Sequence, residues 1–288
     1  MRLSNVQRSL LALVAALCTM PALASAAGYD TPMLYTARHM GMGGTAIGYV
    51  SDPSALFHNP AGLSNIKGGA LMLNLSPLRG QLQGSPAVEA INAKSDAALI
   101  PMFLAGGAYT IADRVTLGFA IFPVGGGSGG YHYSFEKGGK TTSVENSTSL
   151  AFIEATPGVS VRIFDWLRVG AGYRVNIVQF KRTVINTDAG KEPVPYIDMD
   201  MSGTDVKGFR VGAQATLGDL DVGLVYRNTI RPEVSADTAI VTGVPAEDGT
   251  FGFILPSKMG LGLHYRGLAS WRFGLDLEYA FNSENTET

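Results

Sequence analysis

The feature that most constrains this chain is a period-two alternation of apolar residues with polar or small ones, from about residue 68 onward. Across residues 167–177 every odd position is apolar, and the even positions hold arginine, glycine or asparagine. Because successive side chains of a strand point to opposite faces, the alternation predicts strands with one apolar and one polar face. The polar face carries many glycines and the charged residues Arg168, Arg174, Arg210, Asp276 and Glu278.

Composition favours a membrane barrel over a soluble sheet. Charged residues make up 16% of the chain and hydrophobic residues 46%, whereas soluble domains carry about 25% charged residues. No segment of the mature chain reaches the roughly 20 apolar residues of a transmembrane helix. Only helices and closed barrels satisfy every backbone polar group in lipid. We therefore expect an all-β fold, a transmembrane antiparallel β-barrel with a polar lumen; a large soluble β-sandwich is the alternative.

Counting the alternating segments predicts about ten strands, near residues 69–77, 99–111, 114–123, 130–135, 150–163, 166–183, 200–217, 220–237, 251–266 and 270–282. Tight turns between them alternate with long tracts at 124–148, 182–206 and 228–250 that are rich in small and polar residues. Outer-membrane barrels have short periplasmic turns and longer extracellular loops. We expect the long tracts to be extracellular loops.

The N-terminus predicts export. Arg2 and Arg8 lie before an apolar run at residues 10–17. Small residues follow the run, and they contain a predicted cleavage site before Ala27. This is the pattern of a secretory signal peptide. Cys18 is the single cysteine and lies within it, so the mature chain has no disulfide or thiolate metal site to offer.

The stretch between the signal peptide and the first strand is not strand-like. Asp52–Pro53 and Asn59–Pro60 each place a capping side chain directly before a proline, which favours the start of a helix. Two short helical turns ahead of a barrel, with apolar Leu56 and Phe57 among them, predict a plug folded into the lumen.

At these residues the chain resembles the FadL/OmpP1/TodX family of outer-membrane transporters for long-chain fatty acids and other hydrophobic compounds. The resemblance rests on three motifs in order: A-R-x-M-G-M-G-G at 37–44, D-P-S-A-L-F at 52–57 and N-P-A-G-L at 59–63. It implies a 14-stranded barrel, of which about ten strands are present here, with a small N-terminal helical hatch in the lumen.

The resemblance also implies a division of the chain into a signal peptide at 1–26, a hatch or plug at 27–67, barrel strands at 68–282 and a polar tail at 283–288. It assigns gating or substrate binding to the hatch residues Asp52, Pro53, Leu56, Phe57, Asn59, Pro60 and Ala61. Substrates would bind in an apolar pocket, move inward when the hatch shifts and leave sideways at a strand kink. Candidate lining residues are Met33, Leu34, Leu56, Phe57, Phe103 and Phe119. Ordinary packing or contact with lipid is the favoured alternative for each.

The end of the chain departs from the family, whose members finish on an aromatic residue. Only a polar tail follows Phe281. We expect a C-terminally truncated barrel that lacks its last strands, because an open sheet exposes unpaired edges to lipid. A smaller closed barrel is the alternative, since even-numbered barrels begin at eight strands.

The expected function is passive, hatch-gated transport of hydrophobic molecules, first of all long-chain fatty acids. We expect a monomer in the outer membrane of a Gram-negative bacterium, in contact with lipid and lipopolysaccharide. A porin-like barrel and a structural or assembly role are the alternatives. We expect no catalysis, cofactor, metal or nucleic-acid partner: the net charge is −2, and no metal-ligand spacing links the histidines, which are His39, His58, His132 and His264.

Overall fold

The computed structural model describes residues 36–84, 92–188, 190–241 and 244–286. The predicted signal peptide lies outside the described residues, as do Met33 and Leu34. The described chain begins with two short helices, α1 (Ala37–Gly41) and α2 (Ala55–His58), and a 3-10 helix (Pro60–Asn65). A second 3-10 helix (Asn282–Thr286) follows the last strand. Within the described ranges, no helix has the length and apolar character needed to cross a membrane.

The rest of the described chain is β-structure, with the strands β1 (Gly69–Gly80), β2 (Gln83–Gly84), β3 (Ala93–Lys94), β4 (Ala98–Ile111), β5 (Val115–Lys137), β6 (Lys140–Phe164), β7 (Leu167–Asp188), β8 (Val194–Leu217), β9 (Leu220–Arg227), β10 (Glu233–Val241), β11 (Val244–Gly252), β12 (Lys258–Tyr265) and β13 (Phe273–Ala280). One antiparallel sheet runs in the order β1-β4-β5-β6-β7-β8-β9-β12-β13, and β2 and β3 form a separate ribbon. The hairpin β10–β11 pairs with β8 beyond the end of β9. Within the described residues β1 and β13 are the two edges, so this curled sheet is a half-barrel.

The long tracts predicted as loops are strands, and that prediction was wrong. β5 runs without interruption through both predicted segments at 114–123 and 130–135, and it pairs with β6 out to Lys137 and Lys140. β7 and β8 likewise pair as far as Asn186 and Val194. In these tracts the regular alternation of apolar and polar residues breaks down while the backbone ladder continues.

The outward face of the sheet is an apolar band, as the alternation predicts. Val169, Tyr173 and Ile177 of β7 are 37%, 49% and 36% exposed, and Leu71 of β1 is 94% exposed. The band on β7 covers residues 167–177, which matches the roughly 9–11 residues of a membrane-spanning strand. A face of this length and character fits contact with lipid.

The two faces of β7 exchange their character near residue 178. The inward residues change from polar Arg174 and Asn176 to apolar Val178 and Phe180. In the same place the outward residues change from apolar to polar, and exposed Lys181 pairs with an aspartate of β8. Directly above the outward apolar band, the inward face of β7 is therefore apolar at Val178 and Phe180.

Phe103 and Phe119 face outward, which was the alternative to lining the interior. Phe119 is 50% exposed on the outward face, and Phe103 is the cross-strand partner of outward-facing Leu75. On β4 and β5 the inward positions are the even ones, where the buried side chains are Met102, Leu104, Ala120 and Phe122.

Candidate functional site

The segment at residues 36–66, called here the N-terminal segment, packs against the inward face near the tight turns. Glycines at inward positions make room for it. A Cβ at Gly170 would collide with the backbone of Pro60 and Ala61, and one at Gly223 would collide with the Ile47 carbonyl. Other inward glycines that the segment approaches closely are Gly158, Gly212, Gly262 and Gly274. The glycines on the polar parity therefore form a docking surface.

Asn59 is the most strongly anchored side chain of this segment. It is fully buried. Its Nδ2 lies 3.0 Å from the Ile47 carbonyl oxygen and 3.2 Å from those of Ala213 and Leu224 in the wall. Its Oδ1 accepts the Ala61 N–H at 3.2 Å, which caps the following 3-10 helix as predicted.

Asp52 has a different local role from the one predicted. Its Oδ1 accepts the Ser54 N–H at 3.0 Å, and the helix begins only at Ala55. The predicted start at Pro53 was wrong by two residues because the aspartate closes a side-chain turn instead of capping the helix. Its Oδ2 lies 3.9 Å from Nε2 of buried His39.

Above the N-terminal segment lies an ionic cluster of Glu154, Arg174 and Arg210, from β6, β7 and β8. All three are buried, with exposed fractions of 0%, 0% and 2%. Arg174 Nε donates to Glu154 Oε2 at 2.7 Å, and Arg210 Nη1 donates to Glu154 Oε1 at 3.0 Å. Two guanidinium groups thus share one carboxylate.

The ionic cluster touches both the N-terminal segment and the space above it. Arg210 donates to the Leu56 carbonyl, and its Cζ lies 5.8 Å from the centre of the Phe57 ring. Arg174 Nη1 donates to the Asn228 carbonyl at 3.0 Å. Arg174 Nη2 is buried and has no hydrogen-bond partner among the described residues. A buried donor left open in this way suits an acceptor brought by a ligand.

Beyond the ionic cluster the interior is apolar. Phe57 packs edge-on against Phe122 at 5.3 Å between ring centres, and Phe152 packs edge-on against Phe253 at 5.5 Å. Phe180 lies 5.6 Å from Phe253. Further buried members of this apolar cluster are Val124, Val178, Met201, Ile230, Val234 and Leu255. Apolar contacts of this kind are non-directional.

The wall beside the apolar cluster is interrupted at β5. The pairing of β5 with β4 ends at Ile121, and its register with β6 shifts between Pro123 and Gly125. Gly126 has a φ of 136°, which a side chain rarely adopts. Beyond this point residues 98–104 of β4 pair with β1 and, within the described chain, not with β5.

The predicted site residues fall into two groups. Leu56 is buried against inward glycines of β5 and β6, and Phe57 faces the apolar cluster. Asn59, Pro60 and Ala61 contact the wall itself. Neither the Glu154 carboxylate nor the cluster of inward phenylalanines was predicted from the sequence. One pattern in the sequence could have indicated the ionic cluster: three successive long strands carry one acid and two arginines at inward-facing positions.

Comparison with known proteins identifies the family to which this chain belongs. A family model described as outer membrane protein transport protein (OMPP1/FadL/TodX) matches residues 17–285. The chain belongs to this family. Family members are outer-membrane β-barrel transporters of hydrophobic compounds, so the family predicted from the N-terminal motifs is confirmed. The family is one of transport channels and not of enzymes.

Solved structures share the fold. The Pseudomonas putida toluene transporter TodX superposes with a TM-score of 0.63 at 19% identity, over 88% of this chain and 71% of that one. The Ralstonia pickettii toluene transporter TbuX gives 0.64 at 18%, over 86% and 72%. A Pseudomonas aeruginosa FadL homologue gives 0.60 at 14%, over 88% and 70%. A search of curated protein sequences found no significant match.

Proposed function

We propose that this family member is a passive, hatch-gated transporter of hydrophobic molecules in the outer membrane, with long-chain fatty acids as its cargo. The observation that carries the proposal is the order of three layers along the inward face. The apolar cluster comes first, the ionic cluster with Glu154 lies beneath it, and the docked N-terminal segment closes the end near the tight turns.

The apolar cluster supplies the affinity. Transfer of a methylene group from water to an apolar site is worth about 0.8 kcal/mol, so an acyl chain gains several kcal/mol among these side chains. Phe152, Phe180 and Phe253 form one continuous aromatic contact set. Because hydrophobic burial is non-directional, the cargo can slide through such a lining.

The ionic cluster favours a carboxylate as the head of the cargo. Arg174 and Arg210 together carry one more positive charge than Glu154 can neutralise. Buried charge is costly unless it is paired, and Arg174 Nη2 offers an open donor. A fatty acid brings a carboxylate to this position. Toluene, the cargo of the toluene transporters TodX and TbuX, brings none.

In this proposal the N-terminal segment is the hatch. Phe57 faces the cargo. The hatch is held to the wall by Leu56, Asn59, Pro60 and Ala61, and Asp52 with Pro53 shapes the turn before them. Cargo leaves sideways at the interruption between β4 and β5. The protein acts as a monomer whose apolar band contacts outer-membrane lipid and lipopolysaccharide.

Uptake of radiolabelled oleate and of toluene by cells with and without the gene tests the proposal. Oleate uptake is expected to rise when the gene is present. Equal uptake of both compounds in the two strains contradicts transport, and a rise for toluene alone contradicts the fatty-acid assignment. Arg174→Met is expected to lower oleate uptake more than toluene uptake. The exposed Arg79 provides the control Arg79→Met, which leaves both unchanged.

A further inference from the structure

At the tight-turn end of the inward face, three arginines and one carboxylate form what we call the basal ring: Arg162, Arg168, Asp221 and Arg266. Asp221 is already paired. Arg266 Nε lies 2.9 Å from Asp221 Oδ2, and Arg266 Nη2 donates to Oδ1 at 3.2 Å. His264 Nδ1 lies a further 3.3 Å from Oδ2. The ring therefore keeps two arginines beyond this ion pair.

Arg162 and Arg168 oppose each other directly. They are cross-strand partners in the ladder between β6 and β7, where Cβ atoms lie about 4.5–5.5 Å apart and like charges destabilise the sheet. Arg162 Nη2 donates to the Ser64 carbonyl at 2.8 Å, and Arg168 Nη1 donates to the Thr216 hydroxyl at 2.9 Å. Neither acceptor is an acid.

Each of these two arginines also keeps an open donor. The Nε–H groups of Arg162 and Arg168 are buried and have no hydrogen-bond partner within the described residues. Two half-buried arginines on adjacent strands, each with a buried and open Nε–H, can both donate to one oxyanion, since guanidinium groups bind carboxylate and phosphate oxygens strongly.

We propose that the basal ring binds an oxyanion between Arg162 and Arg168, on the periplasmic side of the hatch. The anion accepts from both Nε–H groups and turns a repulsive pair into a bridged one. The site is separate from the ionic cluster, because Glu154 lies eight residues from Arg162 along β6, about 26 Å at the strand rise. Arg162 also holds the last turn of the hatch through Ser64.

Two sources of such an oxyanion exist: the carboxylate of cargo that has passed the hatch, and a phosphate. The carboxylate source rests on the proposed function, whereas the phosphate source does not. Acetate and inorganic phosphate separate them, because acetate carries the head of a fatty acid without the chain that the apolar cluster would bind.

The test is thermal unfolding of the purified full chain in detergent, titrated with acetate, phosphate or chloride at matched ionic strength. Either oxyanion is expected to raise the Tm in a saturable way that chloride does not reproduce. A rise with both marks a site open to cargo carboxylates, and a rise with phosphate alone marks a phosphate site. No rise beyond that of chloride with either overturns the proposal.

Single substitutions test whether the oxyanion-dependent rise in Tm depends on Arg162 and Arg168. Arg168→Gln and Arg162→Gln are each expected to abolish the oxyanion-dependent rise, and Arg168→Gln is expected to raise the Tm in oxyanion-free buffer because it removes the like-charge pair. Arg79→Gln, on exposed β1, keeps the wild-type response. A rise that persists in both basal-ring variants overturns the assignment to these arginines. Because no transport is measured, this result and that of the uptake experiment are independent.

Discussion

The inward faces of β6 and β7 divide into two unlike halves. Near the tight turns the inward residues are glycine, serine and arginine, and the hatch is docked on them through directed hydrogen bonds such as that from Ser160 to the Ala61 carbonyl. Farther along the same parity, Leu150 and Phe152 of β6 and Val178 and Phe180 of β7 are apolar. Hydrogen bonds fix a segment in one place, whereas apolar burial has no preferred direction. In the proposed function, hatch docking and cargo binding therefore depend on different forces, and each can be perturbed separately.

Of the substitutions considered, Glu154→Ala is expected to lower the Tm most. Glu154 lies at the boundary between the polar and the apolar half of the inward face. Removing the carboxylate leaves two guanidinium groups buried without their partner, a change that costs about 3–5 kcal/mol in such clusters. The Tm in detergent, followed by circular dichroism, is expected to fall strongly. Glu145→Ala, an exposed glutamate on the same strand, is the control, and an equal effect of the two substitutions would contradict the buried-charge interpretation.

A smaller effect confined to the polar half is expected from Asn59→Ala. The substitution removes a helix cap and leaves the carbonyls of Ile47 and Ala213 without this donor, at a cost of about 2–4 kcal/mol in hatch docking. Hydrogen exchange across residues 45–66 is expected to speed up, while exchange in β7 stays slow. The control is Asn74→Ala, because the Asn74 amide donates to Ser76 on the same strand; it should change neither rate. Unchanged exchange in Asn59→Ala would show that this contact does not hold the hatch.

The smallest effect is expected from Gly170→Ala. The new Cβ meets the backbone of Pro60 and Ala61, and overpacking of this kind costs about 1–3 kcal/mol. The hatch should exchange faster with little change in the global Tm. A Cβ at Gly127 meets nothing within 4 Å, so Gly127→Ala is the matched control. Indistinguishable exchange in the two variants would mean that the inward glycines are not a docking surface.

Much of the fold could be predicted from the sequence, because apolar and polar residues alternate wherever one face of a strand contacts lipid. The segment predicted at 166–183 is β7, but β7 continues to Asp188. The extension was missed because the polarity of the two faces inverts above the membrane, and an inversion resembles a loss of pattern. The segment predicted at 220–237 is really two strands, since β9 ends at Arg227 and β10 begins at Glu233.

The candidate site was less predictable than the fold. Local motifs identified Asn59 and its cap, because a cap depends on residues adjacent in sequence. The cluster of Glu154, Arg174 and Arg210 depends on the register of three strands, and that register shifts at a bulge between Arg174 and Asn176. No local pattern encodes such a shift, so the charge partners could not be paired from the sequence.

A reversible lock between hatch and wall tests most directly whether cargo passes only when the hatch moves. Ser64 Oγ of the hatch lies 2.7 Å from Ser160 Oγ of β6, so Ser64→Cys with Ser160→Cys places two thiols for a disulfide. Removal of the predicted signal peptide leaves no other cysteine. Ser134→Cys with Ser143→Cys, whose hydroxyls lie 2.9 Å apart in the outer hairpin, is the control. Oleate uptake is expected to stop when the hatch pair is oxidised and to return on reduction, while the control pair transports in both states; undiminished uptake through the oxidised hatch lock would contradict hatch-gated transport.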